Sequence, residues 1–97
     1  MRVDKSVLEF EWDKGNIGKN RKHKVDDKEA EEVFLDLSKK LFKDHLHSNG
    51  EERFRLVGKT KKERLLLIVF TIRKGKVRII SARNINKKEV YLYEETA

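Results

Sequence analysis

The sequence has neither cysteine nor proline, and only three of its 97 residues are histidine. Without cysteine there is no disulfide and no thiolate-ligated zinc site, which fits a reducing compartment. The longest apolar run, residues 65–70, is far too short to span a bilayer, and residues 1–10 lack the apolar core of a signal peptide. We therefore expect a cytoplasmic protein that neither spans a membrane nor is exported by that route.

Charge, in contrast, is abundant and mostly positive. Charged residues make up 42% of the chain, and the formal net charge is +7. A basic excess in a small protein indicates an anionic partner, most commonly nucleic acid. Two stretches, residues 14–25 and 73–88, contain basic residues and no acidic ones. If the fold brings them to one surface, they form a binding face for a phosphate backbone.

The chain shows no linker, repeat or low-complexity segment, so its length predicts one domain over residues 1–97. Residues 7–12 alternate apolar and acidic side chains, which predicts a short strand. Asp13 is then placed to cap a first helix, with Trp12 and Ile17 at the positions of a hydrophobic staple.

A second helix is predicted after Asp26 or Asp27, either of which can cap its first turn. Its apolar residues have helical spacing and are expected on the buried face: Ala30, Val33, Phe34 and Leu37. A final helix is predicted to start at Asn86, with Glu89 in the capping-box position.

Between these helices the pattern changes to short strands at 41–44, 53–59, 64–73 and 76–83. The segment 64–73 is apolar without alternation, which is typical of a central strand buried on both faces. Residues 73–76 are predicted to form a hairpin connection. The predicted fold class is α+β, with two N-terminal helices, an antiparallel β-meander and a C-terminal helix.

Several segments keep a characteristic order and spacing along the chain. They are FEWD at 10–13, Asn20 with Lys22 and His23, EAEEVF at 29–34, HSNGEERF at 47–54, Gly58, VFTIR at 69–73, RIISAR at 78–83, Glu89 and Tyr93. Together they resemble the BrnT toxins of bacterial type II toxin–antitoxin modules. In this chain the step from Asn20 to His23 is one residue shorter than is usual in that family, and Lys24 stands where glycine is usual.

This resemblance implies a RelE-like fold and an endoribonuclease activity that blocks translation. It also implies neutralisation by an antitoxin of the BrnA type, which carries a ribbon-helix-helix DNA-binding region. Toxin and antitoxin of that family together repress their own operon, so contact with operator DNA is expected only through the antitoxin. We further expect the antitoxin to cover part of the basic sheet face.

RNA can be cleaved without a metal ion or cofactor when its own 2′-hydroxyl attacks the neighbouring phosphate. The reaction needs a proton acceptor, cations that stabilise the phosphorane, and a proton for the leaving oxygen. Arginine suits the second role, because its guanidinium donates two parallel hydrogen bonds to phosphate and stays charged. Four arginines lie on or beside predicted neighbouring strands: Arg53, Arg73, Arg78 and Arg83. Each could equally be a solvated residue or contact the antitoxin.

For proton transfer the candidates are His23, His47, Glu52, Tyr91 and Tyr93. His47 could instead cap a turn, and Tyr93 could anchor the last helix. His45 and His47 lack a third ligand, so no metal site is predicted. The predicted catalytic residues are Arg53, Arg73, Arg83, His23, His47 and Tyr91. The predicted RNA contacts are Arg21, Lys22, Lys74 and Arg78.

Two other functions would produce the same charge, since phosphate attraction needs only lysine and arginine. One is a non-catalytic nucleic-acid-binding domain, and the other is an interaction module for an acidic protein. The sequence lacks the exposed aromatic pattern of an RNA-recognition sheet. Trp12 is interpreted as a packing residue rather than a platform for base stacking.

Overall fold

Four antiparallel strands form one sheet in the computed structural model, which describes residues 8–44 and 50–94. They are β1 (Lys40–Asp44), β2 (Arg53–Lys59), β3 (Leu65–Arg73) and β4 (Lys76–Asn84), and they pair in the order β1-β2-β3-β4. The predicted meander is confirmed. The interior position of β3 is also confirmed, because it pairs with β2 on one side and β4 on the other.

The hairpin between β3 and β4 has a two-residue turn. Lys74 and Gly75 both have positive φ, at 50° and 79°. Two-residue loops with positive φ at both positions match the right-handed twist of the flanking strands. The predicted hairpin connection is therefore confirmed.

The main helical segment precedes the sheet. It consists of α1 (Asp27–Glu32) and a 3-10 continuation over Val33–Leu35. The Asp26 N–H donates to the Glu29 carboxylate at 3.2 Å, which closes the first turn. The segment buries Ala30, Val33 and Phe34 as predicted. The expectation for Leu37 is wrong: helical geometry ends at residue 35, and Leu37 is 91% exposed.

The predicted first helix after Asp13 is wrong. Residues 14–18 form turns, and a 3-10 helix occupies Lys19–His23 instead. The Asp13 carboxylate accepts a hydrogen bond from the Gly15 N–H at 2.8 Å, and Gly18 adopts a positive φ of 67°. This local bonding and the two glycines favour turns over a continuous helix.

The N-terminal segment closes the outer edge of β4. Residues 9–11 pair in parallel with Val77 through two backbone hydrogen bonds of 2.8 Å. Further along, Asn16 donates to the Ile79 carbonyl, and the Ala82 N–H donates to Asn20. Of the strand predicted at 7–12, the described residues form only a bridge at Phe10. Val7 lies outside the described residues. The edge is nevertheless protected from pairing with other chains.

The core lies between α1 and one side of the sheet, which we call the core face. Phe34 meets Phe10 and Phe70 edge-on at ring-centroid distances of 5.2 and 5.1 Å. Gly58 allows the close approach of the 3-10 continuation of α1, because a Cβ there would lie 2.8 Å from Cγ1 of Val33. A side chain at position 58 would push the helical segment away from the sheet.

The C-terminal helical segment lies against the opposite side of the sheet. It runs from a 3-10 turn (Lys87–Glu89) into α2 (Val90–Glu94), and the predicted capping box is confirmed because Asn86 N–H donates to Glu89 at 2.9 Å. Tyr93 Oη donates to Asp36 at 2.8 Å, and its ring lies 5.6 Å from the Lys59 Nζ. The anchoring role of Tyr93 is thereby confirmed.

Candidate functional site

Five arginines share the sheet face opposite α1, which we call the arginine face: Arg53, Arg55, Arg73, Arg78 and Arg83. The strand register establishes this. Thr71 pairs with Arg53 on one side and with Arg78 on the other. Residues directly opposite each other in an antiparallel pair project from the same face, as do alternate residues along one strand.

A β-bulge brings Arg78 and Arg83 onto the same face. Five positions apart in a regular strand, they would point to opposite faces. Phe70 pairs with Ile79 whereas Val69 pairs with Ser81, so Ile80 is an extra residue. The bulge resets the alternation, and Arg83 therefore faces the same way as Arg78.

Three of these arginines are paired with carboxylates. Arg73 donates from Nε to Glu51 at 2.7 Å. Arg83 donates to both oxygens of Glu89, at 2.8 and 2.7 Å. The third, Arg78, has a side chain that is only 12% exposed and contacts Glu11 and Asp13, each at 2.8 Å. These ion pairs offset much of the positive charge on this part of the sheet.

Arg53 and Arg55 differ from the other three. Neither forms an ion pair or side-chain hydrogen bond with a residue in the described ranges 8–44 and 50–94. Their Nε atoms are buried without a hydrogen-bond partner, whereas their terminal nitrogens are not among the buried atoms that lack one. Sequence reasoning missed Arg55, although its position two residues after Arg53 in β2 places both on one face.

The carboxylates of the arginine face are held in the ionised form. The hydrogen bond from Arg73 holds the pKa of Glu51 below its ordinary value, and the charges of Arg53 and Arg78 lower it further. A hydrogen bond from Arg83 likewise lowers the pKa of Glu89. Such carboxylates are ionised at neutral pH and have no proton to donate.

Glu51 lies close to several arginines of this face. Its carboxylate accepts a hydrogen bond from Arg73, and the positive charges of Arg53 and Arg78 lower its pKa. Arg53 and Arg78 both pair with Thr71, one from each neighbouring strand. Arg83 lies four pairs further along, opposite Leu67. The predicted convergence of strand arginines on one sheet face is therefore present in the structure.

The other predicted site residues are more dispersed. His23, Arg21 and Lys22 are exposed on the 3-10 helix at Lys19–His23, which packs on the edge of β4 through buried Asn20. The side chain of His23 makes no hydrogen bond or ion pair with another described residue. Lys74 is exposed in the β3–β4 turn.

Two further residues predicted to transfer protons are Tyr91 and His47. Tyr91 is 63% exposed on α2, so it is available to a ligand. His47 lies outside the described residues. Glu52, weighed as a further candidate, is exposed and lies 3.4 Å from the Lys43 Nζ.

Trp12 has the packing role that was predicted. Its ring packs against the core, and its indole N–H donates to Glu31 at 2.7 Å. In the parts of the chain that the structure describes, no three His, Cys, Asp or Glu side chains are grouped to hold a metal ion. None of the described helices is long and apolar enough to cross a membrane.

Comparison with protein-family models assigns the class of this protein. Residues 12–89 match the model described as ribonuclease toxin, BrnT, of type II toxin–antitoxin system. The match covers more than half of the chain and includes the helical segment, all four strands and the first turn of the C-terminal segment. The chain belongs to the BrnT family of ribonuclease toxins. No curated protein matches the sequence.

Proposed function

We propose that the arginine face binds and cleaves RNA without a metal ion or cofactor, and that this cleavage stops translation. The observation that carries the proposal is the pair Arg53 and Arg55. Neither guanidinium group forms an ion pair with a carboxylate among the described residues, although the charge of Arg53 lowers the pKa of Glu51 and that of Arg55 lowers the pKa of Glu89. The Nε donors of both arginines are buried and unsatisfied. A phosphate bound to their terminal nitrogens would supply the missing negative charge.

The chemistry follows from the charge that develops during cleavage. Attack by the 2′-hydroxyl adds negative charge to the scissile phosphate, and preorganised cations stabilise that charge. We assign this role to Arg53, Arg73 and Arg83 together with Arg55. Because Arg73 and Arg83 already bond to Glu51 and Glu89, their carboxylate partners hold the guanidinium groups in place before RNA binds.

Proton transfer needs groups other than the arginines, and we propose His23, His47 and Tyr91 for this role. Histidine exchanges protons near neutral pH, which suits both proton transfers. Tyr91 projects from α2, whose preceding turn bonds to Arg83 on the arginine face. Its exposed hydroxyl is therefore a candidate for contact with RNA at that end of the site.

The remaining basic residues fit a path for the RNA backbone. Lys74 lies next to Arg73 in the hairpin turn, and Arg21 and Lys22 lie on the exposed 3-10 helix beside β4. Arg78 lies between the hairpin and the N-terminal segment, where Glu11 and Asp13 hold it. Contacts of this kind would bind any RNA sequence and weaken as salt rises.

The family also implies an antitoxin partner. We propose that this partner is of the BrnA type, with a ribbon-helix-helix region, and that operator DNA is contacted only through it. We also propose that residues 1–97 act as one domain in the cytoplasm. Labelled amino-acid incorporation should fall after the toxin is induced without its antitoxin; unchanged incorporation would contradict translation as the target.

The test of cleavage is a single-turnover assay on labelled RNA in EDTA. We expect Arg53→Ala/Arg55→Ala to cut at least about a hundredfold more slowly than the wild type, as for loss of other preorganised donors. The matched control is Lys28→Ala/Lys61→Ala, which removes the same charge from two exposed residues beside α1. The control should stay within about threefold of the wild type, because remote charges contribute only to general attraction.

Thermal melting shows whether both double variants are folded. Wild-type protein that cuts only when a divalent metal is added would overturn metal independence. Protein that binds RNA and never cuts it, with or without metal, would indicate a binding domain instead.

A further inference from the structure

The core face is only partly covered within the described residues. The helical segment over α1 packs on the half that contains Gly58, whereas towards the hairpin a groove of about 350 Å³ remains. Phe34, Leu56, Phe70 and Val77 contribute to its lining. This volume lies within the range of sites that bind ligands or anchoring side chains.

Two large apolar side chains are exposed at this groove. Leu41 on β1 is 40% exposed, and Ile72 near the end of β3 is 47% exposed. Exposed apolar residues that converge on one concave surface are typical of interaction sites. Leu37 offers a contrast, because it is 91% exposed and does not line the groove.

The charged side chains that line the groove are positive among the described residues. Lys39 and Lys40 line it, and no acidic side chain does so among the described residues. Lys40 forms no ion pair with another described residue, and the Nζ of Lys39 donates to the backbone carbonyl of Asp36. An apolar floor with a cationic rim fits a partner segment that carries apolar and acidic side chains together.

RNA is a poor match for this surface. Its bases would need exposed aromatic faces for stacking, but Phe34 and Phe70 are only 2% and 4% exposed. The apolar lining also offers no cluster of arginines like that of the arginine face. A protein segment with apolar anchors fits better, because buried anchors supply most of the affinity at protein interfaces.

We propose that this groove anchors an amphipathic, acidic segment of the antitoxin. The proposal rests on the toxin–antitoxin function, and it separates the anchoring surface from the surface that cleaves RNA. Ile72 and Arg73 are neighbours that project from opposite faces of β3. A partner seated at Ile72 can therefore continue around the hairpin towards Arg73 and block the arginine face.

The test compares Ile72→Glu and Leu41→Glu with Leu37→Glu, which makes the same change at an exposed apolar residue outside the groove. Affinity for the purified cognate antitoxin is measured by calorimetry. We expect each groove variant to bind at least about thirtyfold more weakly, as for loss of a buried anchor. Leu37→Glu should bind within about twofold of the wild type, because most exposed positions contribute little.

Three results would overturn the proposal. Unchanged antitoxin affinity in both groove variants would show that the antitoxin binds elsewhere. Loss of a toxin dimer in light scattering, with unchanged antitoxin affinity, would assign the groove to a second copy of this chain. A lower melting temperature with unchanged affinity would assign it to residues 1–7 of the same chain. RNA cleavage is measured separately on the free variants, so failure of the ribonuclease assay leaves the affinity comparison intact.

Discussion

The two faces of the sheet use the same strands for opposite purposes. Along β2, Phe54 and Leu56 point to the core face and pack with aromatic and aliphatic side chains, whereas Arg53 and Arg55 point to the arginine face. The apolar side chains of Phe54 and Leu56 need no hydrogen-bond partner when they are buried. Arg53 and Arg55 carry buried nitrogen atoms that no described residue bonds. Along β2, alternation thus places two apolar core residues on one face and two arginines available to an anionic ligand on the other.

The carboxylates show the same division. Glu51 and Glu89 lie with the arginines and remain ionised because guanidinium groups lower the pKa of each. The groove on the core face contains no acidic side chain among its described lining residues. Substitutions should therefore differ in kind: those of buried core-face residues should change stability, those of exposed groove residues should change antitoxin affinity, and those of the arginines should change cleavage or its dependence on charge.

The largest effect on stability should come from the core face of β3. Ile68 is fully buried, so Ile68→Ala should lower the free energy of unfolding by about 2–5 kcal/mol. Ile72 on the same strand and the same face is 47% exposed, and Ile72→Ala should cost less than about 1 kcal/mol. Urea unfolding of both variants checks this. Similar losses at the two positions would show that exposure does not separate the two ends of this face.

Arg83 provides a sharper test of the arginine face. Arg83→Ala should slow cleavage by about a hundredfold if the guanidinium stabilises the phosphorane. Glu89→Gln removes the negative charge of the same ion pair but keeps the guanidinium and an amide oxygen that can still accept its hydrogen bond, so its cleavage rate should stay within about threefold of the wild type. Both rates are measured in single turnovers at saturating RNA. Equal slowing by the two variants would instead make Arg83 a positioning residue for the C-terminal segment that carries Tyr91.

The smallest effect should be a dependence of folding stability on pH, contributed by an ion pair on the arginine face. The hydrogen bond from Arg83 holds the pKa of Glu89 below its ordinary value of 4.5, so the pair stabilises the folded state fully above that pH. The stabilisation is lost as the pH falls through the lower pKa of the folded state. The stability difference between wild type and Arg83→Ala, under about 1 kcal/mol for a partly exposed pair, should therefore shrink below pH 4.5.

The control for this pH dependence is Ile72→Ala, whose stability difference from the wild type should not change with pH because no charge is removed. Unfolding curves from pH 7 to pH 3 measure both differences. A constant difference for Arg83→Ala over that range would argue against a contribution from the ionised Glu89.

Much of the fold could be predicted because its signals are local. The alternation in 53–59, the apolar run in 64–73 and the turn at Gly75 predicted three strands and a hairpin. The capping box at Asn86 and Glu89 was equally local. The helix predicted after Asp13 failed because side-chain bonds and positive φ values, rather than apolar spacing, decide the conformation of residues 14–18.

By itself, the sequence determined the α+β class, the strands of the meander and the basic character, because each depends on composition or short-range periodicity. The family resemblance rests instead on the order and spacing of short segments along the chain. Only the tertiary structure decided which charges are neutralised and which are free. Arg53 and Arg55 form no ion pair with another described residue, whereas Arg78 contacts acidic residues more than sixty positions away. The bulge at Ile80, which places Arg78 and Arg83 on one face, likewise depends on pairing with β3. Contacts between distant segments determine both, and no local pattern in the chain encodes them.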